Sequence, residues 1–162
     1  MRVNREFAGI IKFILEKTGN PAPYYYKVPE DFFVPAAYLP QPEITTGGET
    51  FLTYGMDIAW YVVFFHKSSY EAYLLGLAAL RGIKAARNLI PLINEDGEQL
   101  NDGVRLNDPD LKILDDGAAQ LTLNWRSREP YVDAAPELSQ IFNWDIFAKS
   151  IEKGEIYGGS KK

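Results

Sequence analysis

Between residues 57 and 66 the apolar positions fall on both sides of an extended chain. Ala59, Tyr61, Val63 and Phe65 lie on one side and Ile58, Trp60, Val62 and Phe64 on the other. A strand with two apolar faces belongs in the middle of a sheet, so this segment predicts a central strand covered on both sides. Gly55, just upstream, predicts a bulge that re-aims residues 51–54. Ser68 followed by Glu71 reads as a capping box that opens a helix running to about Asn88, ahead of Pro91. In that helix Tyr73, Leu74, Leu77, Leu80 and Ile83 supply an inward stripe. Gly76 and the alanines at 78, 79, 85 and 86 let the helix approach the sheet closely.

The flanking segments follow the same logic. Phe7, Ile10, Ile11 and Ile14 recur at helical spacing and predict a helix over residues 3–17, with Asn4 as its cap and Gly19 and Pro21 as its stop. Prolines 21, 23, 29, 35 and 40 forbid a long helix between residues 20 and 41 and leave short edge-strand pieces at 24–28 and 33–39. Pro42, Thr45, Thr46, Gly47 and Gly48 read as a flexible turn region. Asp96-Gly97, Asp102-Gly103 and Asp116-Gly117 are hairpin signals, with short apolar pieces at 104–106 and 111–114 between the last two. Ala119, Leu121, Leu123 and Trp125 then alternate with Gln120, Thr122, Asn124 and Arg126, a strand buried on one side and wet on the other. Leu138, Ile141, Phe142, Ile146 and Phe147 predict a last helix over 136–151, and residues 158–162 are expected to be disordered. The fold class is α+β: a mainly antiparallel sheet with two or three helices packed on it. There is no internal repeat.

Composition narrows the class. A chain of 162 residues suits one core. The absence of cysteine excludes disulfides, thiolate chemistry and sulfur-built zinc sites, and suits a reducing compartment such as the cytoplasm. The N-terminal apolar run, broken by Gly9 and Lys12, is too short and mixed for a membrane span. The net charge of -5 argues against a protein devoted to neutralising phosphates. Aromatic residues make up 14% of the chain and cluster at Tyr24, Tyr25, Tyr26, Phe32 and Phe33 in proline-rich sequence. Such clusters suit either the capped ends of a sheet or contact with other protein chains.

Reactive groups are sparse. His66 is the one histidine, placed at the end of the central strand, where a solvent-facing imidazole is the ordinary case. No G-x-S-x-G elbow accompanies it. The acids Glu95, Asp96, Glu98, Asp102, Asp108, Asp110, Asp115 and Asp116 outnumber the bases Arg105 and Lys112 in the 95–116 region, but none fits a calcium loop. Gly47-Gly48 and Gly158-Gly159 lack the sequence that makes a phosphate nest. No catalytic, cofactor-binding or metal residue is assigned, and no cofactor is expected. Arg81, Lys84 and Arg87, three apart, place a basic face on the second helix, while the acids gather in the hairpins. Opposite patches of this kind can meet across a head-to-tail interface between identical subunits, and they equally suit a solvated helix with scattered loop acids.

Several stretches together carry a resemblance: the N-terminal helix, Pro23-Tyr24-Tyr25-Tyr26-Lys27-Val28-Pro29, the unit from Tyr54 through Ser68-Ser69-Tyr70-Glu71-Ala72-Tyr73 to Ala85-Ala86-Arg87-Asn88-Leu89-Ile90-Pro91, and Leu106-Asn107-Asp108-Pro109 onward to Trp125. Asp115-Asp116-Gly117-Ala118-Ala119-Gln120-Leu121 followed by Trp125 matches best. Over residues 1–131 the chain resembles the tail terminator, or tail-to-head joining, family of long-tailed bacteriophages. The resemblance implies a virion structural protein without enzymatic activity, assembled in the host cytoplasm. It would be a homo-oligomer, a hexameric ring that caps the finished tail tube and meets the head connector or stopper protein, with genomic DNA passing through its lumen unbound. Asp108, Asp110, Asp115 and Asp116 become candidates for lumen- or tube-facing loops, and Arg81, Lys84 and Arg87 for a subunit interface. Residues 132–162 fall outside the resemblance, as an arm for a neighbour or a helix packed on its own sheet. The alternatives are another phage neck or head-completion protein, a small hydrolase or ligand-binding domain using His66, and a nucleic-acid module on the Arg81 face.

Overall fold

The computed structural model describes residues 2–131, which form an α+β fold with a mainly antiparallel sheet. Helix α1 (Arg2–Lys17) precedes β1 (Ala22–Tyr25), β2 (Ala36–Leu39), β3 (Glu43–Gly48) and β4 (Thr53–Phe65). Helix α2 (Ser69–Ala85), β5 (Leu89–Ile93), β6 (Gln99–Arg105), β7 (Asp110–Ile113) and β8 (Ala118–Pro130) follow. The main sheet runs β1-β2-β4-β8-β7, and β3 pairs with the first half of β4. β1 and β2 are parallel; every other pairing is antiparallel. β5 and β6 form a separate hairpin, joined to the sheet by a bridge between Leu106 and Trp125.

β4 and β8 pair along their whole lengths, from Thr53 opposite Pro130 to Phe65 opposite Ala118. Residues directly opposite share a face. Met56, Ile58, Trp60, Val62 and Phe64 therefore join Leu121, Leu123 and Trp125 on an inward face, where all are buried. α1 places Ile10 and Ile14 in this core and sets the Phe7 ring edge-on against Trp60 and Trp125, with ring centroids 5.2 and 5.3 Å away. Such T-shaped contacts bring the positive ring edge to the negative face of a neighbour. α1 also packs on β5. Gly9 makes that possible, since a Cβ there would collide with the Pro91 carbonyl oxygen.

Several expectations are corrected. The central strand is covered by helices on one face only, because among the described residues both helices lie on the same side. Ala59, Tyr61, Val63 and Phe65 remain half-buried on the other. Gly55 is not a bulge: the β4–β8 register is unbroken there, and the missing side chain leaves room for the Arg126 guanidinium. Residues 43–48 are strand β3, not a flexible turn. Thr45 and Thr46 suit an extended backbone, and Glu43 to Gly48 pair residue for residue with Ala59 to Tyr54. The edge strands are shorter than expected, at Ala22–Tyr25 and Ala36–Leu39, and Tyr26 stops the first with φ of 64°. Pro91 lies inside β5. Asp102-Gly103 lies inside β6, with Gly103 opposite Pro91, so only Asp96-Gly97 and Asp116-Gly117 are turns, each with a positive-φ glycine.

The helices also differ in detail. Asn4 sits inside α1; the Val3 amide instead donates to the buried Glu129 Oε1 at 2.9 Å. The Ser68–Glu71 capping box is present, with the Glu71 amide donating to Ser68 Oγ at 3.2 Å. α2 ends at Ala85, because Arg87 and Asn88 adopt positive φ. Its buried side is Ala72, Gly76, Ala79 and Ile83; of the expected stripe Ile83 is buried and Leu80 packs against the core, whereas Tyr73 and Leu77 are only half-buried and Leu74 is exposed. Small residues let α2 lie close enough for Gly76 to meet Leu111. The helix expected over 136–151 and the disorder expected at 158–162 fall outside the described residues.

Candidate assembly surfaces

The uncovered face of the sheet carries a charge cluster that register creates. Arg126 stands opposite Asp57 and donates to both its carboxylate oxygens at 3.0 and 2.9 Å. Arg128 donates to both oxygens of Glu49, in the β3–β4 turn, at 2.7 and 2.9 Å, and Arg126 Nε lies 3.5 Å from the same carboxylate. The Arg128 hydrogen bond holds the Glu49 carboxyl below its ordinary value, and the same bond raises the Arg128 guanidinium. The two-pronged Arg128–Glu49 pair, made through Nε and Nη2, fixes geometry as well as charge. Sequence reasoning missed the cluster. The one available signal was the alternation that puts Arg126 and Arg128 on the polar side of β8, and the partners come from register alone.

A second polar seam closes the start of α1. Glu6 is buried and accepts from Trp125 Nε1 at 2.9 Å and from Arg2 Nε at 3.0 Å. Arg2 also pairs with Asp102 and donates to the Gly103 carbonyl oxygen at 3.2 Å, tying α1 to β6. Hydrogen bonding to Arg2 lowers the Asp102 carboxyl.

The residues singled out from sequence are partly brought together. Lys84 on α2 and Asp108 form an ion pair within the chain, joined by Asn88 Nδ2 donating to Asp108 at 2.8 Å. The Lys84 hydrogen bond, then that from Asn88, holds the Asp108 carboxyl below its ordinary value. Thus the basic face and the acidic region neutralise each other at one point. Arg81 is exposed on α2, whereas Arg87 lies past the helix end in a left-handed conformation and so leaves the helix face. Asp110 starts β7 on the uncovered sheet face, opposite Thr122, and Asp115 and Asp116 sit in the exposed β7–β8 turn.

His66 lies against that turn. Its amide donates to the Gly117 carbonyl oxygen at 2.9 Å, and a Cβ at Gly117 would meet the His66 carbonyl oxygen at 2.7 Å. The His66 Nδ1 accepts from the Lys67 amide at 2.8 Å and lies 3.2 Å from Glu71 Oε2. An Nδ1 engaged by a backbone amide is an orienting contact at the helix cap. Among the described residues, surface grooves of 360 to 550 Å³ beside α1, at Arg126–Arg128, along β6 and at Tyr131 are lined by residues other than His66. Among the described residues, no group of three or more histidines and carboxylates is placed to hold a metal ion. No helix among them is long and apolar enough to cross a membrane.

No family model matches the chain. The phage-like element PBSX protein XkdJ of Bacillus subtilis strain 168 is 31% identical over 129 residues, spanning 80% of this chain and 88% of that protein. This chain belongs to the XkdJ family. The uncharacterized protein YqbJ of the same strain, also 31% identical, aligns over the same shares of both chains. Among solved structures, one chain from the virion of a native gene transfer agent particle aligns with 76% of this chain and 92% of its own length. Its TM-score is 0.46 and its identity 13%. The XkdJ match spans 80% of the chain, so the kinship is to a protein of a phage-like element.

Proposed function

We propose that this chain is a virion structural protein that terminates the tail: a hexameric ring seated on the finished tube, joined on its other side to the head connector or stopper protein. The observation that carries this reading is membership of the XkdJ family, whose PBSX member is named for a phage-like element. The resemblance of residues 1–131 to tail terminators narrows the role within the virion. The surfaces are consistent with it. Ring subunits meet through two different patches, and this chain offers the exposed base Arg81 on α2 and the exposed acids Asp110, Asp115 and Asp116 near the β7–β8 edge. Asp108 serves this assembly less directly, since its charge is shared with Lys84. The role rests on contact surfaces and requires no reactive group. Genomic DNA would pass an acidic subunit without being held.

Adding the purified protein to polymerising tail tube protein is the direct test. Growth should stop, with capped tubes of limited length. Tubes that elongate as they do without it would overturn the reading. Neutralising Asp110, Asp115 and Asp116 together should weaken ring formation or tail joining while leaving the melting temperature nearly unchanged.

A further inference from the structure

The main sheet has two edges that no strand completes among the described residues. Between them the order is β3-β4-β8-β7 with every pairing antiparallel, while β1 and β2 sit beside the other half of β4. All six residues of β3 are exposed, as are Asp110, Lys112 and Ile113 of β7. Ile44 and Ile113 are 47% and 54% accessible although both lie on the core side of the sheet, opposite Ile58 and Ala119. An internal proline or a bulge commonly guards such an edge against strand addition, and neither strand has one: their registers with β4 and β8 run unbroken. Each edge is a template for a further strand.

The two edges also match each other. Backbone N–H and C=O groups alternate in direction along an antiparallel strand. The Asn107 amide donates to the Asn124 carbonyl oxygen on the side of β8 away from β4, so Thr122 and Gln120 direct their groups to Asp110 and Lys112. Leu111 and Ile113 then direct theirs outward. Carried across β4, the same alternation leaves Ile44, Thr46 and Gly48 directed outward from β3. When Ile44 of one copy faces Leu111 of another, N–H meets C=O and the apolar pair extends the inward face of the sheet. On the outward face the same register sets Glu43 opposite Lys112 and Thr45 opposite Asp110. Glu43, Asp110 and Lys112 form no ion pair among the described residues, Glu43 meeting only the Tyr61 hydroxyl at 3.5 Å. Opposite charges face to face across two strands favour that pairing.

We propose that copies of this chain join edge to edge, β3 of one adding antiparallel to β7 of the next in this register. Strand direction favours this over a two-fold pair. The four strands alternate in sense from β3 to β7, so β7 runs opposite to β3 of a neighbour held the same way up, as neighbours in a ring are. Head-to-tail addition uses both edges of every copy, whereas pairing β7 with β7, or β3 with β3, leaves one edge of each copy bare. The inference names the contact strands of the proposed ring; it rests on that reading for the closure of the ring and not for the pairing itself.

The chain has no cysteine, and positions 43 and 112 are exposed, which makes the test direct. Mixed and oxidised at high concentration, Glu43→Cys and Lys112→Cys chains should give a covalent dimer on a non-reducing gel, while each alone stays monomeric. A chain carrying both changes should give a ladder of dimers and longer products. Charge tests the same contact without cysteine: Lys112→Glu or Glu43→Lys should raise the Kd of self-association about tenfold in sedimentation, and the two together should restore most of the loss. A dimer from either cysteine variant alone, in the yield of the mixture, would assign that edge to a two-fold pair and overturn the proposal. No cross-link in the mixture, or a charge-reversed double variant no stronger than the single ones, would overturn it equally. The tube-growth assay separates the two readings. Capped tubes without the cross-link refute the strand pairing alone, and a cross-linking chain that leaves tube growth unchanged refutes the tail role alone.

Discussion

The same two strands, β4 and β8, present two opposite kinds of surface. Their inward face is a close-packed apolar layer in which Trp60, Phe64, Leu121, Leu123 and Trp125 are all buried. Their outward face is half-buried, with Tyr61, Val63 and Thr122 beside the Asp57–Arg126 and Glu49–Arg128 pairs. The inward face fixes the fold through shape. The outward face contributes little to stability, because exposed ion pairs are screened and pay side-chain entropy. A surface arranged so specifically at so little energetic benefit is available for contact with other chains.

That contrast can be broken from the strongest effect downward. Trp125→Ala should cost about 3–5 kcal/mol in chemical denaturation, since it opens a large cavity and strips the buried Glu6 of a donor. Gly9→Ala comes next, at about 1–3 kcal/mol, because its Cβ must displace the Pro91 carbonyl oxygen. An ordinary exposed helix glycine would instead gain stability from the same change, so a stabilised variant would refute the close packing of α1 on β5. Glu6→Leu leaves the Trp125 N–H buried without an acceptor and should cost roughly 1–3 kcal/mol, read from the shift of the denaturation midpoint.

The smallest effect belongs to the surface pairs and has a defined sign. Glu49, Asp102 and Asp108 are held below their ordinary values, 4.5 for the glutamate and 3.8 for the aspartates, by Arg128, Arg2 and Lys84. A depressed carboxylate value means that the pair stabilises the fold above the ordinary value and ceases to do so as pH falls through the lower folded value. The stability of the wild-type chain should therefore begin to decline on acidification below pH 4.5, through Glu49, and decline further below pH 3.8, through Asp102 and Asp108. A variant combining Glu49→Gln, Asp102→Asn and Asp108→Asn should show a shallower decline, and an identical acid limb would remove these pairs from the account.

Much of this arrangement is legible in the chain itself. α1, α2, β4 and β8 are written in periodicity, and the Ser68–Glu71 box and the Asp116-Gly117 turn appear at their predicted places. What escaped has physical causes. β3 is hidden because Thr-Thr-Gly-Gly reads as a turn until β4 supplies hydrogen-bond partners. β5 is hidden because Pro91, a helix stop, also fits a two-stranded hairpin. The covered face of α2 was misjudged at Tyr73, Leu74 and Leu77 because close helix–sheet approach puts Ala72, Gly76 and Ala79 inward instead. For the candidate surfaces, sequence places charges on elements but not across them. Lys84 meets Asp108, and Arg126 meets Asp57, through pairings that only the folded chain supplies.

The proposed function has this chain work through its surfaces as a ring-forming virion component. Negative-stain imaging of the purified full-length protein, with mass determination at low and high concentration, addresses that claim most directly. The account predicts closed rings with the mass of six copies, in a proportion that grows with concentration or on meeting tail tubes. A protein that stays monomeric at every concentration and on tail tubes, with no ring in any field, would contradict it.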